Sequence, residues 1–417
     1  MIGNEASTPG RSRPLWQDTF AALKHPNYRL WFFGQMVSLM GTWMQSTAQG
    51  YLVYQLTGSP TYLGLVGFFG GLPTWLFTLF GGVIADRLPR RTLLIITQTA
   101  MLILAFILAG LTFTNLVQPW HIIVLAFLLG VANAFDAPAR VSFVAELVSR
   151  EDMTNAIAMN STMFNIATVV GPSIAGLTYA AFGPAWCFTI NGISFIAVIG
   201  ALSFMRFTPL PQPPRRGTAL GELAEGLRYV FANRLILSLI ISVGFVSIFG
   251  LGMLTLIPAW ARDILHGDVT TNGLLISARG FGSLVSALML ASLGSRKIRG
   301  KLWTIGSFMM PVLLFVFAWI RWLPLSLFVM LGIGWSFMML INNSNAMLQS
   351  HVSDQLRGRV MSVYSLIFFG SMTLGALIAG TVAEKFGEPL TVMVSSFILL
   401  ALAVVAWIFL PNIRGQE

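Results

Sequence analysis

The sequence carries very little charge for its length. Only 10% of its 417 residues are Asp, Glu, Lys or Arg, whereas 56% are apolar. Soluble domains typically have about a quarter of their residues charged. A soluble enzyme is therefore excluded, and lipid is the expected solvent of most of the chain.

Cysteine and histidine are also scarce. The chain has one cysteine, Cys187, and four histidines. A lone thiol has no disulfide partner and cannot form a thiolate metal site. We therefore expect no redox chemistry, no metal and no cofactor.

Two further absences bear on targeting and on energy supply. The first 27 residues lack the apolar core of a cleavable signal peptide, so the N-terminus is expected to stay in the cytoplasm. The chain also lacks a Gly-x-x-x-x-Gly-Lys loop for nucleotide phosphates. Direct drive by ATP is not expected.

Long apolar runs are abundant. The mean hydropathy is +0.77, and a membrane-spanning helix needs about 20 apolar residues. The pattern predicts an all-α membrane protein with twelve transmembrane helices, at residues 28–54, 61–85, 92–114, 119–145, 155–181, 184–205, 235–259, 271–293, 302–322, 324–349, 359–383 and 389–411.

The placement of the cations predicts the orientation of these spans. Of the 25 Lys and Arg residues, 21 fall on the side that holds both chain ends, 3 fall on the other side, and Arg279 lies within a span. Cytoplasmic loops of membrane proteins carry an excess of Lys and Arg. Both termini are therefore predicted to be cytoplasmic, and the net charge of +10 reflects topology rather than nucleic-acid binding.

A proline-rich linker divides the chain. Residues 207–217 contain four prolines followed by Arg215 and Arg216, a stretch that can neither be helical nor enter lipid. From Thr218, apolar residues recur at helical spacing, as in a helix lying in the membrane interface. The predicted domains are a cytoplasmic N-terminal amphipathic segment 1–27, an N-terminal six-helix half 28–206, a cytoplasmic linker and amphipathic helix 207–234, a C-terminal six-helix half 235–411 and a cytoplasmic tail 412–417.

An internal repeat at an offset of 204 residues relates the two halves. Ten residues between 148 and 183 recur without a gap, among them Gly171, Gly176 and Gly183 as Gly375, Gly380 and Gly387. The repeat predicts two parallel six-helix halves. This is the architecture of a large class of transporters, which place the substrate path between the halves.

The loop after the second span reads Gly82-Val83-Ile84-Ala85-Asp86-Arg87-Leu88-Pro89-Arg90-Arg91. It resembles the cytoplasmic signature loop of the major facilitator superfamily, with Pro89 at the place of the second glycine. Asp86 can pair with Arg90, and the resemblance implies that Asp136, near Arg140, joins both in one charge relay. The predicted gating and coupling residues are Gly82, Asp86, Arg87, Arg90, Arg91, Asp136 and Arg140. The alternative is that these charges only set the topology.

The fifth span contains Gly171-Pro172-Ser173-Ile174-Ala175-Gly176, which looks like the Gly-Pro motif of exporters in the superfamily. Glycines permit close helix packing, and Pro172 frees a backbone carbonyl and bends the helix. Together with the series at 51–60 and 134–140, the motif is similar to the enterobactin-exporter and drug-efflux branch. By this resemblance, members of the branch export siderophores or drug-like molecules, usually against protons.

Polar residues within the spans are the candidates for a substrate cavity. Arg279 lies on the outer half of span eight, where its planar guanidinium could meet an anionic or catecholate group. The alternative is an arginine that bonds backbone carbonyls or reaches outward. The uncharged candidates are Gln45, Gln49, Asn160, Asn165, Asn342, Asn343 and Asn345. Hydrogen bonds between helices would explain these residues equally well.

The sequence therefore predicts a secondary active transporter of the cell inner membrane that exports a siderophore or an amphipathic drug-like compound by alternating access. Proton antiport is implied by the resemblance alone, because no span has a carboxylate near its centre. Protons are the candidate coupling ion, and Asp86, Asp136 and Glu146 are the acids that remain for them in the first half.

The expected partners are a small-molecule substrate and the lipid bilayer, with no nucleic acid, and the chain is expected to be a monomer. Two alternatives stay open: a lipid or lysophospholipid transporter, and a non-transporting membrane sensor. The short linker leaves no room for the signalling domain that a sensor needs.

Overall fold

The structure is a computed structural model that describes residues 20–85, 88–205, 219–293 and 298–409, without the side chains of residues 78–85 and 219–220. Every regular element in these ranges is helical. A short 3₁₀ turn, Ala21–Lys24, comes first. The helices that follow are α1 (Pro26–Thr57), α2 (Pro60–Ala85), α3 (Arg90–Phe113), α4 (Pro119–Leu147), α5 (Met153–Phe182), α6 (Pro184–Phe204), α7 (Ala219–Ala232), α8 (Arg234–Ile264), α9 (Val269–Leu293), α10 (Arg299–Trp319), α11 (Leu323–His351), α12 (Asp354–Phe386) and α13 (Glu388–Phe409).

Membrane spans can be recognised directly from these helices. Among the described residues, ten helices are long and apolar enough to cross a membrane, namely α3 to α6 and α8 to α13. The helices α1 and α2 are also long, with 32 and 26 residues. Large apolar side chains such as Phe204, Phe328 and Phe409 are 72–80% exposed on the outside of the bundle. A nearly all-helical membrane protein, as predicted, is therefore confirmed.

The seventh predicted span, α8, departs from regular α-helix. It begins as an α-helix and continues through a π turn at Val246–Leu251, a 3₁₀ turn at Gly252–Leu256 and a second π turn at Trp260–Ile264. Pro258 has no amide hydrogen to donate, and Gly252 lies against the Gly375 carbonyl of α12. The helical segment ends at Ile264, five residues beyond the predicted end at 259.

The helix bounds reproduce the sequence repeat. The helices α4 and α11 are displaced by 204 residues at both ends, and α5 and α12 both end at a phenylalanine, Phe182 and Phe386. The next residues, Gly183 and Gly387, have φ of 88° and 83°. With their extended ψ values this conformation is essentially restricted to glycine. The repeated glycines therefore end two corresponding helices in the same way.

The amphipathic helix predicted after the linker is α7. Its apolar face packs on the bundle, where Val230 is buried and Leu223 and Leu227 contact the core. The Gly226 backbone lies against the Arg359 carbonyl of α12, and Glu225 forms an ion pair with the Arg359 guanidinium. The helix is thus held against α12 rather than lying free of the bundle.

The bundle has two ends, each named here after one residue. The Tyr54 end holds the end of α1, the start of α2 and the end of α8, including Asp263. The Asp136 end holds the start of α3 and the end of α4, including Arg90. Because successive long helices run in opposite directions, each inter-helix connection lies at one of these two ends.

Two helix pairs with close glycine contacts lie among those that join the residues before the linker to the residues after it. The helix α2 packs on α12, where Gly64 faces Gly380, and α5 packs on α9, where Gly176 faces Gly273. Each pair maps onto the other when the repeat exchanges α2 with α9 and α5 with α12. Both close approaches begin at the Tyr54 end. The contact of α2 with α12 extends as far as Trp75 against Gly370, and the contact of α5 with α9 extends as far as Thr168 against Gly280.

Candidate functional site

A buried carboxylate organises the Asp136 end. Asp136 on α4 is fully buried, and its Oδ1 accepts hydrogen bonds from Thr97 Oγ1 and Gln98 Nε2 of α3, each at 2.9 Å. Its Oδ2 accepts from two guanidinium nitrogens of Arg140, one helical turn along α4, with Nε at 3.0 Å. Four donors therefore fix this carboxylate between two helices.

The predicted gating cations next to it bind other partners. The Arg90 guanidinium donates to Glu146 Oε1 at 2.5 Å and to the Ser142 carbonyl at 3.3 Å. The Arg91 guanidinium donates to the Ser203 carbonyl at the end of α6, at 2.9 Å. These contacts tie the start of α3 to the ends of α4 and α6.

The predicted relay of Asp86, Arg90 and Asp136 stays a prediction. Asp86 and Arg87 lie outside the described residues, and Gly82 belongs to the part of α2 described by its backbone alone. The two described members, Arg90 and Asp136, stand in separate ion pairs, with Glu146 and with Arg140. The sequence had placed Glu146 among the candidate proton carriers and did not identify it as the partner of Arg90.

A second acidic residue at this end anchors the turn before α1. Asp152 Oδ2 accepts from Lys24 Nζ and from His25 Nε2, both at 2.7 Å, and from Ser149 Oγ at 3.0 Å. The Lys24 ammonium and the His25 ring hold the pKa of the Asp152 carboxyl well below its usual range. The start of the described chain is thereby bound to the start of α5.

The predicted export motif sits at helix contacts. An added Cβ on Gly171 would lie 2.6 Å from the Trp43 Cβ of α1, and one on Gly176 would lie 2.9 Å from the Thr270 Cα of α9. The Pro172 carbonyl faces Gly273 of α9. The motif therefore lets α5 approach α1 and α9 at once, and α5 continues through Pro172 as one helix.

A group of polar contacts closes the Tyr54 end, and the sequence did not predict it. The Tyr54 hydroxyl donates to Asp263 Oδ2, which joins α1 to α8, and the Arg262 guanidinium lies over the Tyr54 ring at 5.9 Å. Ser59 Oγ donates to Glu384 Oε2 at 2.5 Å, which joins the start of α2 to α12. These residues lie at predicted span ends, where polar residues are expected for topology alone.

The uncharged cavity candidates of the first half contact neighbouring side chains and their own helices. Gln45 Oε1 accepts from Asn191 Nδ2 of α6 at 2.7 Å, and Gln49 is buried on the same helix. Asn160 Oδ1 accepts from the Tyr28 hydroxyl at 3.5 Å. Asn165 donates to the Ser161 carbonyl of its own helix at 2.8 Å. The contacts of Gln45 and Asn160 are hydrogen bonds between helices.

The candidates of the second half lie on α11 and α9. Asn343 is buried and donates to the Met339 carbonyl at 2.8 Å, whereas Asn342 and Asn345 are half-buried. Arg279 is half-buried on α9, and its Nε is buried without a hydrogen-bond partner in the described structure. Among the described residues, no group of three or more His, Cys, Asp or Glu could hold a metal ion.

Known protein families identify what kind of bundle this is. The family model described as transmembrane secretion effector, within the major facilitator superfamily, matches residues 17–416. The chain is 28% identical over 400 residues to the multidrug efflux pump Tap of Mycolicibacterium fortuitum, covering 92% of this chain and 96% of that one. It is 26% identical over 420 residues to the enterobactin exporter EntS of Escherichia coli O81, covering 97% and 96%.

A solved structure shows the same fold. The bacterial homologue of the human lysosomal transporter Spinster, in an inward-facing and unoccupied conformation, superposes with a TM-score of 0.74 at 13% identity. The match covers 94% of this chain and 99% of that one. The likeness to this structure concerns the fold alone.

Proposed function

Because the chain belongs to the transmembrane secretion effector family of the major facilitator superfamily, we propose that it exports a small molecule, a siderophore or an amphipathic drug-like compound, by alternating access. The chain is a multi-pass membrane transporter and not an enzyme. The observation that carries export is the full-length similarity to an efflux pump and to a siderophore exporter.

The topology proposed for this transporter has twelve spans in two six-helix halves. The transporter lies in the cell inner membrane, with both termini in the cytoplasm. The shared helix bounds of α4 and α11 support the two halves, and the excess of Lys and Arg at one side supports the orientation. The Asp136 end is then cytoplasmic and the Tyr54 end faces outward.

The distribution of contacts supports alternating access. Hydrogen bonds from α1 to α8 and from α2 to α12 connect the two parts of the chain at the Tyr54 end. At the Asp136 end, the ion pairs described connect α3 to α4 and α7 to α12, each within one part. A bundle joined at its outer end and separable at its cytoplasmic end corresponds to an inward-facing state. Rocking of the two halves would convert this state into an outward-facing one.

Proton antiport completes the proposal. No carboxylate lies at the middle of a described span, so protons would be carried by acids nearer the helix ends. Asp136 is buried and accepts hydrogen bonds from residues of α3 and α4. Glu146 of α4 accepts a hydrogen bond from Arg90 of α3. A change in protonation of either acid would alter how α3 and α4 are held together.

Efflux from proteoliposomes tests this function. Vesicles loaded with catecholate siderophores or fluorescent drugs are followed with and without an imposed pH gradient, for the wild type and for Asp86→Asn. We expect gradient-driven efflux of at least one compound, and its loss in Asp86→Asn. Glu151→Gln, an exposed acid at the same end, is the matched control and should transport as the wild type does. Leakage-level fluxes across the whole panel would refute export and direct the next measurements to lipid substrates.

A further inference from the structure

Three polar residues of α9 form a line that faces the interior of the bundle. Asn272, Arg279 and Ser286 are spaced by seven residues, so they lie on one face of the helix, each about 10 Å along the axis from the next. The residues Leu274, Phe281 and Leu288 have the same spacing on the opposite face and are 38–60% exposed, as expected of a lipid-facing surface.

The two flanks of this line are occupied by neighbouring helices. Gly280 lies against the Thr168 carbonyl of α5, where an added Cβ would be 2.6 Å from the oxygen. Gly282 lies against the Leu331 carbonyl of α11, where an added Cβ would collide with the oxygen. The line of three therefore points between α5 and α11, away from lipid.

Four side-chain atoms on this line are buried and have no hydrogen-bond partner in the described structure. Asn272 and Ser286 are 0% exposed, and Asn272 Nδ2 and Oδ1, Arg279 Nε and Ser286 Oγ are buried without hydrogen bonds. Serines elsewhere on the same helix are satisfied. Ser277 Oγ donates to the Val169 carbonyl at 2.6 Å, and Ser283 Oγ donates to the Gly334 carbonyl at 3.1 Å.

Of the three residues, Arg279 carries a charge, so the lack of a partner costs the most free energy at this position. It lies ten residues from the start of α9, about 15 Å along the helix and thus near the middle of a hydrocarbon layer of about 30 Å. None of the ion pairs of the described residues includes Arg279, although an isolated cation at this depth is strongly unfavourable. A counter-charge supplied from outside the chain would remove this cost.

We propose that Arg279, the partly exposed member of this line, is the substrate-binding residue of α9, and that the transported compound carries a carboxylate or similar oxyanion that pairs with its guanidinium. The planar guanidinium donates two parallel hydrogen bonds to such a group. This inference rests on the proposed transport function and adds the chemical class of its substrate.

The position of Arg279 fits this role in the transport cycle. The close approach of α5 and α9 extends from the Tyr54 end to Thr168 and Gly280, which is the neighbour of Arg279. The arginine thus lies beside the glycine contact of α5 and α9 that is farthest from the Tyr54 end. A ligand bound there would lie next to both helices, so a relative movement of α5 and α9 would alter its binding.

Binding of three fluorescent probes that share the dansyl group and differ in the charge of their end group tests the proposal. Dansylglycine, dansylglycinamide and dansylethylenediamine carry a negative, a neutral and a positive group, and their anisotropy is measured with the purified full chain in dodecyl maltoside. We expect the wild type to bind dansylglycine at least ten-fold more tightly than the other two. In Arg279→Gln the dissociation constant for dansylglycine should rise at least ten-fold, while that for dansylglycinamide changes less than three-fold. The dissociation constant of Arg279→Lys for dansylglycine should lie between those of the wild type and of Arg279→Gln, since an ammonium lacks the planar fork of a guanidinium.

The controls separate charge recognition from loss of the fold. Lys301→Gln removes an exposed cation at the start of α10 and should bind all three probes as the wild type does. Equal affinity of the wild type for the three probes, a preference for the cation, or no binding of any probe would each overturn the proposal. A parallel loss of all three probes in Arg279→Gln would also overturn it, because the side chain would then shape the cavity rather than bind a charge. Failure of the transport function is recognised separately, by leakage-level fluxes of the wild type in proteoliposomes.

Discussion

The Tyr54 hydroxyl donates a hydrogen bond to the Asp263 carboxylate and so links the end of α1 to the end of α8. The two residues are 209 positions apart and belong to opposite sides of the linker. A contact of this kind exists in one state of an alternating transporter and must break in the other. Under the proposed alternating access, its strength would contribute to the balance between the two states.

Tyr54→Phe removes this hydrogen bond and should favour opening of the Tyr54 end. A hydrogen bond to a charged group contributes about 1.5–3 kcal/mol, and about 1.4 kcal/mol changes a population ratio ten-fold. Spin labels at Leu116→Cys and Trp322→Cys, both exposed at this end, report the distance between the halves. We expect a longer-distance component to appear in Tyr54→Phe.

Tyr62→Phe makes the same chemical change at the start of α2, at the same end, where the side chain is 36% exposed. It should leave the distance distribution unchanged. An identical distribution in Tyr54→Phe and in the wild type would show that the Asp263 contact does not control opening.

The Asp152 cluster predicts a specific dependence of stability on pH. The Lys24 ammonium and the His25 ring lower the pKa of Asp152 in the folded protein below its unfolded value of about 3.9. A lowered folded pKa gives a stabilisation that is fully present above the unfolded pKa and is lost as the pH falls through the folded pKa. Asp152→Asn should therefore melt below the wild type at pH 6, and the difference should shrink steadily below about pH 4.

Thermal melts monitored by tryptophan fluorescence measure this difference. Glu151→Gln changes the adjacent exposed acid and should follow the wild type at every pH. A melting difference for Asp152→Asn that stays constant down to pH 2 would contradict the assignment of the pH dependence to this carboxyl.

The paired glycines at the ends of α5 and α12 predict a matched pair of effects. Gly183 and Gly387 have φ of 88° and 83°, a conformation that costs an alanine about 1–3 kcal/mol. Gly183→Ala and Gly387→Ala should each lower the melting temperature, by similar amounts. Gly200→Ala replaces a helical glycine with no atom within 4 Å of the new Cβ, and it should leave the melting temperature unchanged or raise it. Unchanged melting temperatures in both variants would contradict the assignment of backbone strain to positions 183 and 387.

The helices were predictable from the sequence because hydropathy and helix length are local properties. The fourth span was predicted to begin at 119, and α4 begins at Pro119. The partners of the charges were not predictable in the same way. Arg90 lies at the start of α3 and Glu146 near the end of the antiparallel α4, so both are at one end of the bundle. Which acid Arg90 meets depends on how the two helices cross, and hydropathy carries no information about that crossing.

The pair of Asp136 and Arg140 predicts a large loss of stability when either charge is removed. Asp136 is fully buried, and its replacement by asparagine leaves the Arg140 guanidinium without its counter-charge. Removing one partner of a buried pair costs about 3 kcal/mol. We therefore expect Asp136→Asn and Arg140→Gln each to lower the melting temperature substantially. The melting temperature of the double variant should fall by less than the sum of the two single decreases, because the second change removes a charge that the first left unpaired.

Asp354→Asn provides the matched control for this cycle. Asp354 pairs with Arg357 at 2.6 Å, but its side chain is 88% exposed, and a surface pair contributes only about 0–1 kcal/mol. Transport per folded molecule then separates structure from mechanism. If Asp136 acts only by joining α3 to α4, transport per folded molecule in the double variant should be close to that of the wild type. If transport per folded molecule is lost in the double variant, the carboxylate itself is required during the cycle, as expected of a member of the predicted relay.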